Sequence, residues 1–166
     1  FNEVHLGKAA RAEASGEELL NLLENDIKEQ TQCIVDIYSR YLFETAVFEQ
    51  SQNKFLMADD LKQIMLDAQK KTYGDGLDPE CMHPYMWVCK SHYYSADLGF
   101  YNYPYAFGGL FARGLFAKYK KEGSAFVENY KKMLKNTPVM SVEDVAKICG
   151  IDLTDKEFWM MSLHSY

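Results

Sequence analysis

Residues 17–52, EELLNLLENDIKEQTQCIVDIYSRYLFETAVFEQSQ, contain neither proline nor glycine. Apolar side chains recur through them at helical spacing, from Leu19, Leu20, Leu23 and Ile27 to Ile34, Ile37, Tyr41, Leu42 and Phe48. Glu17 and Glu18 suit the first turn of a helix, where backbone N–H groups point out unpaired. At 1.5 Å per residue such a run makes a rod of roughly 50 Å, so this stretch decides for a helical protein. On either side the same period returns. A helix opens at Phe1 and breaks at Ser15-Gly16, and another is expected over 58–73, with Leu61, Ile64, Met65 and Ala68 on one face.

Gly74-Asp75-Gly76-Leu77-Asp78-Pro79 reads as a loop. A short helix is expected over 84–94, then an irregular segment over 95–103. Pro104 suits the first position of the next helix, which carries Phe107, Leu110, Phe111, Leu115, Phe116 and Tyr119. Glycines 108, 109 and 114 weaken that helix, and their expected compensation is close approach of another backbone. Helices over 124–136, 141–149 and 154–163 complete the chain. The last two open with capping-box spacing, Ser141…Asp144 and Thr154…Glu157, and Gly150 sits where a helix C-terminal glycine belongs. No strand alternation persists. The expected fold is all-α, packed as one helical unit over 1–166.

Composition narrows the function. Eighteen Lys+Arg against 24 Asp+Glu leave a net charge of −6, which weighs against nucleic acid as a partner. No apolar run approaches the roughly 18 residues of a membrane span. No secretory leader is legible, and Cys33, Cys81, Cys89 and Cys149 form no CxxC, so reduced thiols and a cytoplasmic location are expected. The opening helix starts at full pattern with no capping residue before Phe1, which reads as a chain cut inside a helix. Such a cut would leave apolar surface on Phe1, Val4 and Leu6, so self-association is expected.

The chemistry concentrates in one place. Six of the twelve tyrosines lie between residues 85 and 105, with His92 among them. Neutral phenol and imidazole groups are good donors toward an oxygen that gains negative charge in a transition state. Tyr101 and Tyr103 alternate, so an extended chain points them the same way until Pro104 turns the path. The plainer alternative is that these rings simply pack and find one hydroxyl partner each. Cys81, His83, Cys89 and His92 also have the residue types of a structural zinc site, though not its usual spacing.

Three further segments give the sequence a family resemblance. They are Phe1-Asn2-Glu3 opening a helix, Trp87-Val-Cys-Lys-Ser-His92-Tyr93 with Tyr101-Asn-Tyr103-Pro-Tyr105-Ala-Phe-Gly108, and the terminal block from Met140 to Trp159. With them the chain resembles the C-terminal part of the oligoendopeptidase F family, among the thimet-oligopeptidase-like zinc metallopeptidases. The resemblance implies the multi-helix C-terminal half of a zincin-type catalytic domain, lining a cleft for short peptides. It implies a HExxH helix with two zinc-ligand histidines and a downstream ligand Glu. This sequence has no HExxH among His5, His83, His92 and His164, and the ligand Glu falls upstream of Phe1 in family members. Zinc would therefore belong to the parent protein, its ligands to the missing N-terminal part, and the fragment alone would be inactive. Carried over residue by residue, His92, Tyr101, Tyr103 and Tyr105 become the catalytic set, those four with Tyr93 the substrate-binding set, and Glu3 a supporting partner of a zinc ligand. A non-enzymatic helical module that binds peptides is the alternative.

Overall fold

The computed structural model describes residues 1–165. Among them the regular structure is helical, with no strand, so the all-α expectation holds. In chain order the helices are α1 (Asn2–Glu13), α2 (Gly16–Thr31), α3 (Ile37–Ser51), α4 (Ala58–Tyr73), α5 (Tyr103–Glu122), α6 (Ser124–Asn136), α7 (Val142–Ile148) and α8 (Lys156–Leu163). The long run expected to end near residue 52 is helical from Gly16 to Ser51, but Gln32–Asp36 winds as a π-helix between α2 and α3. The chain divides into two compact units, one formed by Phe1–Leu22 with Gly108–Tyr166, the other by Leu23–Phe107.

The first unit centres on Leu115, Phe126, Met133, Val145, Ala146, Cys149, Ile151 and Phe158, all buried. Phe1 belongs to this core. Its ring stacks on Tyr130 at 4.5 Å and meets Phe116 and Tyr119 edge-on. The expected apolar exposure at α1 therefore fails at Phe1 and falls mainly on Leu6, which is 66% exposed. Gly114 is where helices press together: a Cβ there would lie 2.4 Å from Cζ of Phe158 and 2.5 Å from Oγ of Ser162. The neighbour is thus a pair of α8 side chains rather than a backbone, and Gly108 and Gly109 face open space.

Helix ends follow local chemistry. Ser141 Oγ caps α7 by accepting from the Asp144 N–H. At its other end the Ile151 N–H donates to the Ala146 carbonyl and the Gly150 N–H to that of Lys147, with Gly150 at φ +64°. This is the doubly bonded helix stop that a glycine permits. Helix α8 is capped one residue later than expected: Asp155 accepts from the Glu157 N–H, while Thr154 bonds Asp152.

The second unit packs α3 against α4 through Phe43, Ile64, Met65 and Ala68, with Met86, Trp87 and Tyr93 laid over them. Residues 84–94 are not one helix. Two 3-10 turns, Met86–Cys89 and Ser91–Tyr94, are separated by an extended Lys90. The reason is packing: Trp87 and Tyr93 both face Phe43, at ring distances of 6.4 and 5.2 Å. Six residues apart on an α-helix they would point about 120° from each other. The segment before these turns is tied down by Gln69 on α4. Its side-chain amide donates to the His83 carbonyl at 2.9 Å and accepts from the His83 N–H at 3.0 Å.

Candidate functional site

The second 3-10 turn ends a compact run of chain and splits neighbouring side chains between inside and outside. Tyr93 turns inward, where its hydroxyl donates to the Arg40 carbonyl at 3.3 Å. Desolvation in that position pushes its pKa upward. His92 is half-buried, and its Nδ1 is shut off from solvent without a hydrogen-bond partner among the described residues.

After it, residues 95–102 proceed by successive turns, with the Leu98 N–H bonded to Ser95 and the Tyr101 N–H to Leu98. Phe100 takes φ +54°, a left-handed conformation that side chains with a Cβ avoid. Its N–H donates to Glu44 Oε1 at 2.7 Å, and its ring stacks on Phe48 at 5.1 Å. Asn102 is buried, its side-chain oxygen accepting from Arg40 at 3.3 Å, and Arg40 is in turn paired with Asp36 one helical turn earlier. Between and beyond these anchors, Tyr101, Tyr103 and Tyr105 are 44%, 59% and 46% exposed. The sequence suggested an extended chain with Tyr101 and Tyr103 on one side; instead the chain turns here and α5 begins at Tyr103, so it is Tyr105 that meets Tyr101.

Three of the expected site residues meet as a cluster. The His92 ring stacks on Tyr101 at 5.9 Å and an interplanar angle of 17°. Tyr105 stands edge-on to both, at 5.8 and 6.1 Å. His92 Nε2 and the Tyr105 hydroxyl are hydrogen-bonded at 3.1 Å, the tautomer deciding which of them donates. Tyr103, the first residue of α5, is open to solvent. Tyr93 packs instead against Phe43 in the core of this unit. Glu3 lies exposed in the first turn of α1, in the other unit.

The chemistry available here is that of neutral hydrogen-bond donors beside aromatic faces. Such a surface can hold a peptide backbone and donate to a carbonyl oxygen. A metal is another matter. Among the described residues no group of three or more His, Cys, Asp or Glu side chains stands close enough to share an ion. The quartet Cys81, His83, Cys89 and His92 is therefore not assembled as a zinc site, and the residues present do not fit the zinc that the family resemblance implies. Elsewhere in this unit a groove of about 360 Å³ runs between α3 and α4, lined among others by Leu42, Thr45, Glu49 and Lys71. None of the expected site residues lines it.

Sequence reasoning missed the row that holds the loop. Asp36, which ends the π-helical turn, and Arg40 and Glu44 of α3 are spaced four apart, so they lie along one face, and all are buried. The signal they leave in the sequence is charges at intervals of four among the apolar residues of 33–48.

Comparison with known proteins gives one informative match. The chain is 30% identical over 115 residues to a protein described as an oligoendopeptidase F homolog from Borreliella burgdorferi, which covers 69% of this chain. The chain spans about a fifth (19%) of the length of that relative. The family resemblance read from the sequence is thus matched by a curated protein of that description. No family model matches the chain. No solved structure matches it either.

Proposed function

We propose that this chain is the His/Tyr-bearing wall of a zinc-dependent oligoendopeptidase that hydrolyses short peptides. The observation that carries the reading is the cluster in which a half-buried His92 meets the exposed Tyr101 and Tyr105, with the exposed Tyr103 next along the chain. Similarity to the oligoendopeptidase F homolog supports the peptidase class.

In this reading the tyrosine loop lies along the substrate backbone. As water adds to the scissile carbonyl, its oxygen gains charge, and a phenol O–H or imidazole N–H aimed at it becomes a stronger partner than it was to the ground-state carbonyl. The bond between Tyr105 and His92 pre-orients both groups, so little reorganisation is needed during reaction. Tyr101 supplies the flat face against which the imidazole rests. Zinc, which activates the water in such enzymes, and its ligands would come from elsewhere in the parent protein. The isolated chain would bind peptides without cleaving them. Four free cysteines support a reducing, cytoplasmic setting for the parent. Among the described residues no helix is long and apolar enough to cross a membrane.

The test is made in the parent peptidase with an internally quenched short peptide. Y105F and H92Q should each lower kcat by about 10²-fold, the usual effect of removing one oxyanion donor, with a smaller change in KM. An unchanged kcat in both variants would remove the reading.

A further inference from the structure

The loop that carries Tyr101 and Tyr103 is held from behind by one carboxylate. Glu44 is 6% exposed, and one of its oxygens accepts the Phe100 N–H at 2.7 Å, across 56 residues of sequence. That residue is the only non-glycine at positive φ among the described residues. A phenylalanine left to itself leaves this region for the β or right-handed regions, and doing so swings the following peptide. Tyr101 is the next residue, and its ring forms one side of the His92 cluster.

Stability does not account for the carboxylate. Its second oxygen, Oε2, is buried without a hydrogen-bond partner among the described residues, as are Nε of Arg40 and Nδ2 of Asn102. A buried acid that leaves one oxygen without a partner is a poor way to stabilise a fold, and an apolar side chain of similar volume would serve as well or better. What an apolar side chain lacks is an acceptor for the Phe100 N–H.

We propose that Glu44 is a positioning residue for the His92–Tyr101–Tyr105 cluster: it fixes Phe100 in its left-handed conformation and so sets where Tyr101 presents its ring. Arg40, bonded to Asn102, repeats the device two residues later, and the two anchors leave Tyr101 and Tyr103 facing outward. The placement stands on geometry alone; its effect on substrate rests on the peptidase reading above.

NMR of the 166-residue chain tests it, using selectively labelled His and aromatic side chains. In E44A the His92 ring signals should lose their ring-current displacement and their cross-relaxation with Tyr101 and Tyr105. The indole signal of Trp87, packed in the same unit, should persist. E44Q keeps a neutral acceptor and should restore the His92 signals. Unchanged His92 signals in E44A, or no rescue by E44Q, overturns the proposal. If E44A loses the Trp87 signal as well, the unsubstituted chain decides: a Phe100 amide that exchanges at the unprotected rate overturns the proposal, and a protected one supports it. Adding N-acetylated penta-alanine amide to the unsubstituted chain separates the two readings. If E44A behaves as expected but the peptide shifts neither His92 nor Tyr105, the substrate reading fails while the positioning role stands.

Discussion

Replacing Gly114 by alanine should destabilise the protein, although alanine is the better helix former. The gain from propensity is at most about 1 kcal/mol. Against it stands a new Cβ lying 2.4 and 2.5 Å from two ring carbons of Phe158 and 2.5 Å from Ser162 Oγ. Carbon pairs rest at about 3.5–4.0 Å, so the ring must retreat by more than about 1 Å. It has little room to do so. Phe158 is 7% exposed and wedged between Phe111 and Trp159, and Ser162 is fully buried. Overpacking of this kind costs about 1–3 kcal/mol, occasionally more, and with two neighbours struck the upper end applies. The expected net loss is about 2 kcal/mol, or about 4–8 °C in Tm for a chain of this size. Urea and thermal unfolding followed by Trp159 fluorescence, in a Trp87→Phe background, reports on the unit concerned. G108A and G109A are the controls. Their Cβ atoms would meet nothing within 4 Å, so each should gain about 0.5–1 kcal/mol. A G114A protein as stable as its parent would refute the packing argument.

Four other predictions rest on contacts described above. Cys149 is buried and its thiol pKa is pushed up to about 11 by desolvation, so iodoacetamide at pH 8 should label the exposed Cys81 and Cys89 and spare it. Because the folded state holds that proton more tightly, its contribution to stability is complete below pH 9 and is lost between pH 9 and 11, which denaturation midpoints across that range will show. Asp155→Ala should cost about 1 kcal/mol in thermal unfolding, as a lost helix cap does, and Thr154→Ala clearly less. Gln69→Met, which keeps the volume but offers neither amide group to His83, should cost about 1–2 kcal/mol, with faster proteolysis near residues 74–83 as the local readout.

Helix positions were legible because their signals are local. The stretch 58–73 carries its whole apolar face within itself, and α4 begins and ends at those residues. The caps at Ser141 and Gly150 likewise depend on bonds within a few residues. What the sequence could not show is decided by partners far away in the chain. Residues 84–94 lose their helix because Phe43, some forty positions earlier, draws both Trp87 and Tyr93. The site divides in the same way. His92 and the tyrosines announce themselves by type and crowding, but that His92 bonds Tyr105, and that Glu44 holds Phe100, are facts of long-range packing. Charges on a helix are ordinarily read as solvated, so the buried Asp36, Arg40 and Glu44 passed unnoticed.

The grip of Gln69 on His83 imitates, with a single side chain, the reciprocal pairing that an adjacent strand would offer a peptide unit. Because that knot closes the chain at its base, the stretch between the end of α4 at Tyr73 and His83 can change in length without shifting the turns beyond it. Even doubling such a circuit adds only about 0.6 kcal/mol of closure entropy. The hairpin between α4 and the aromatic segment is therefore the natural place to graft a tag or label without disturbing what lies downstream.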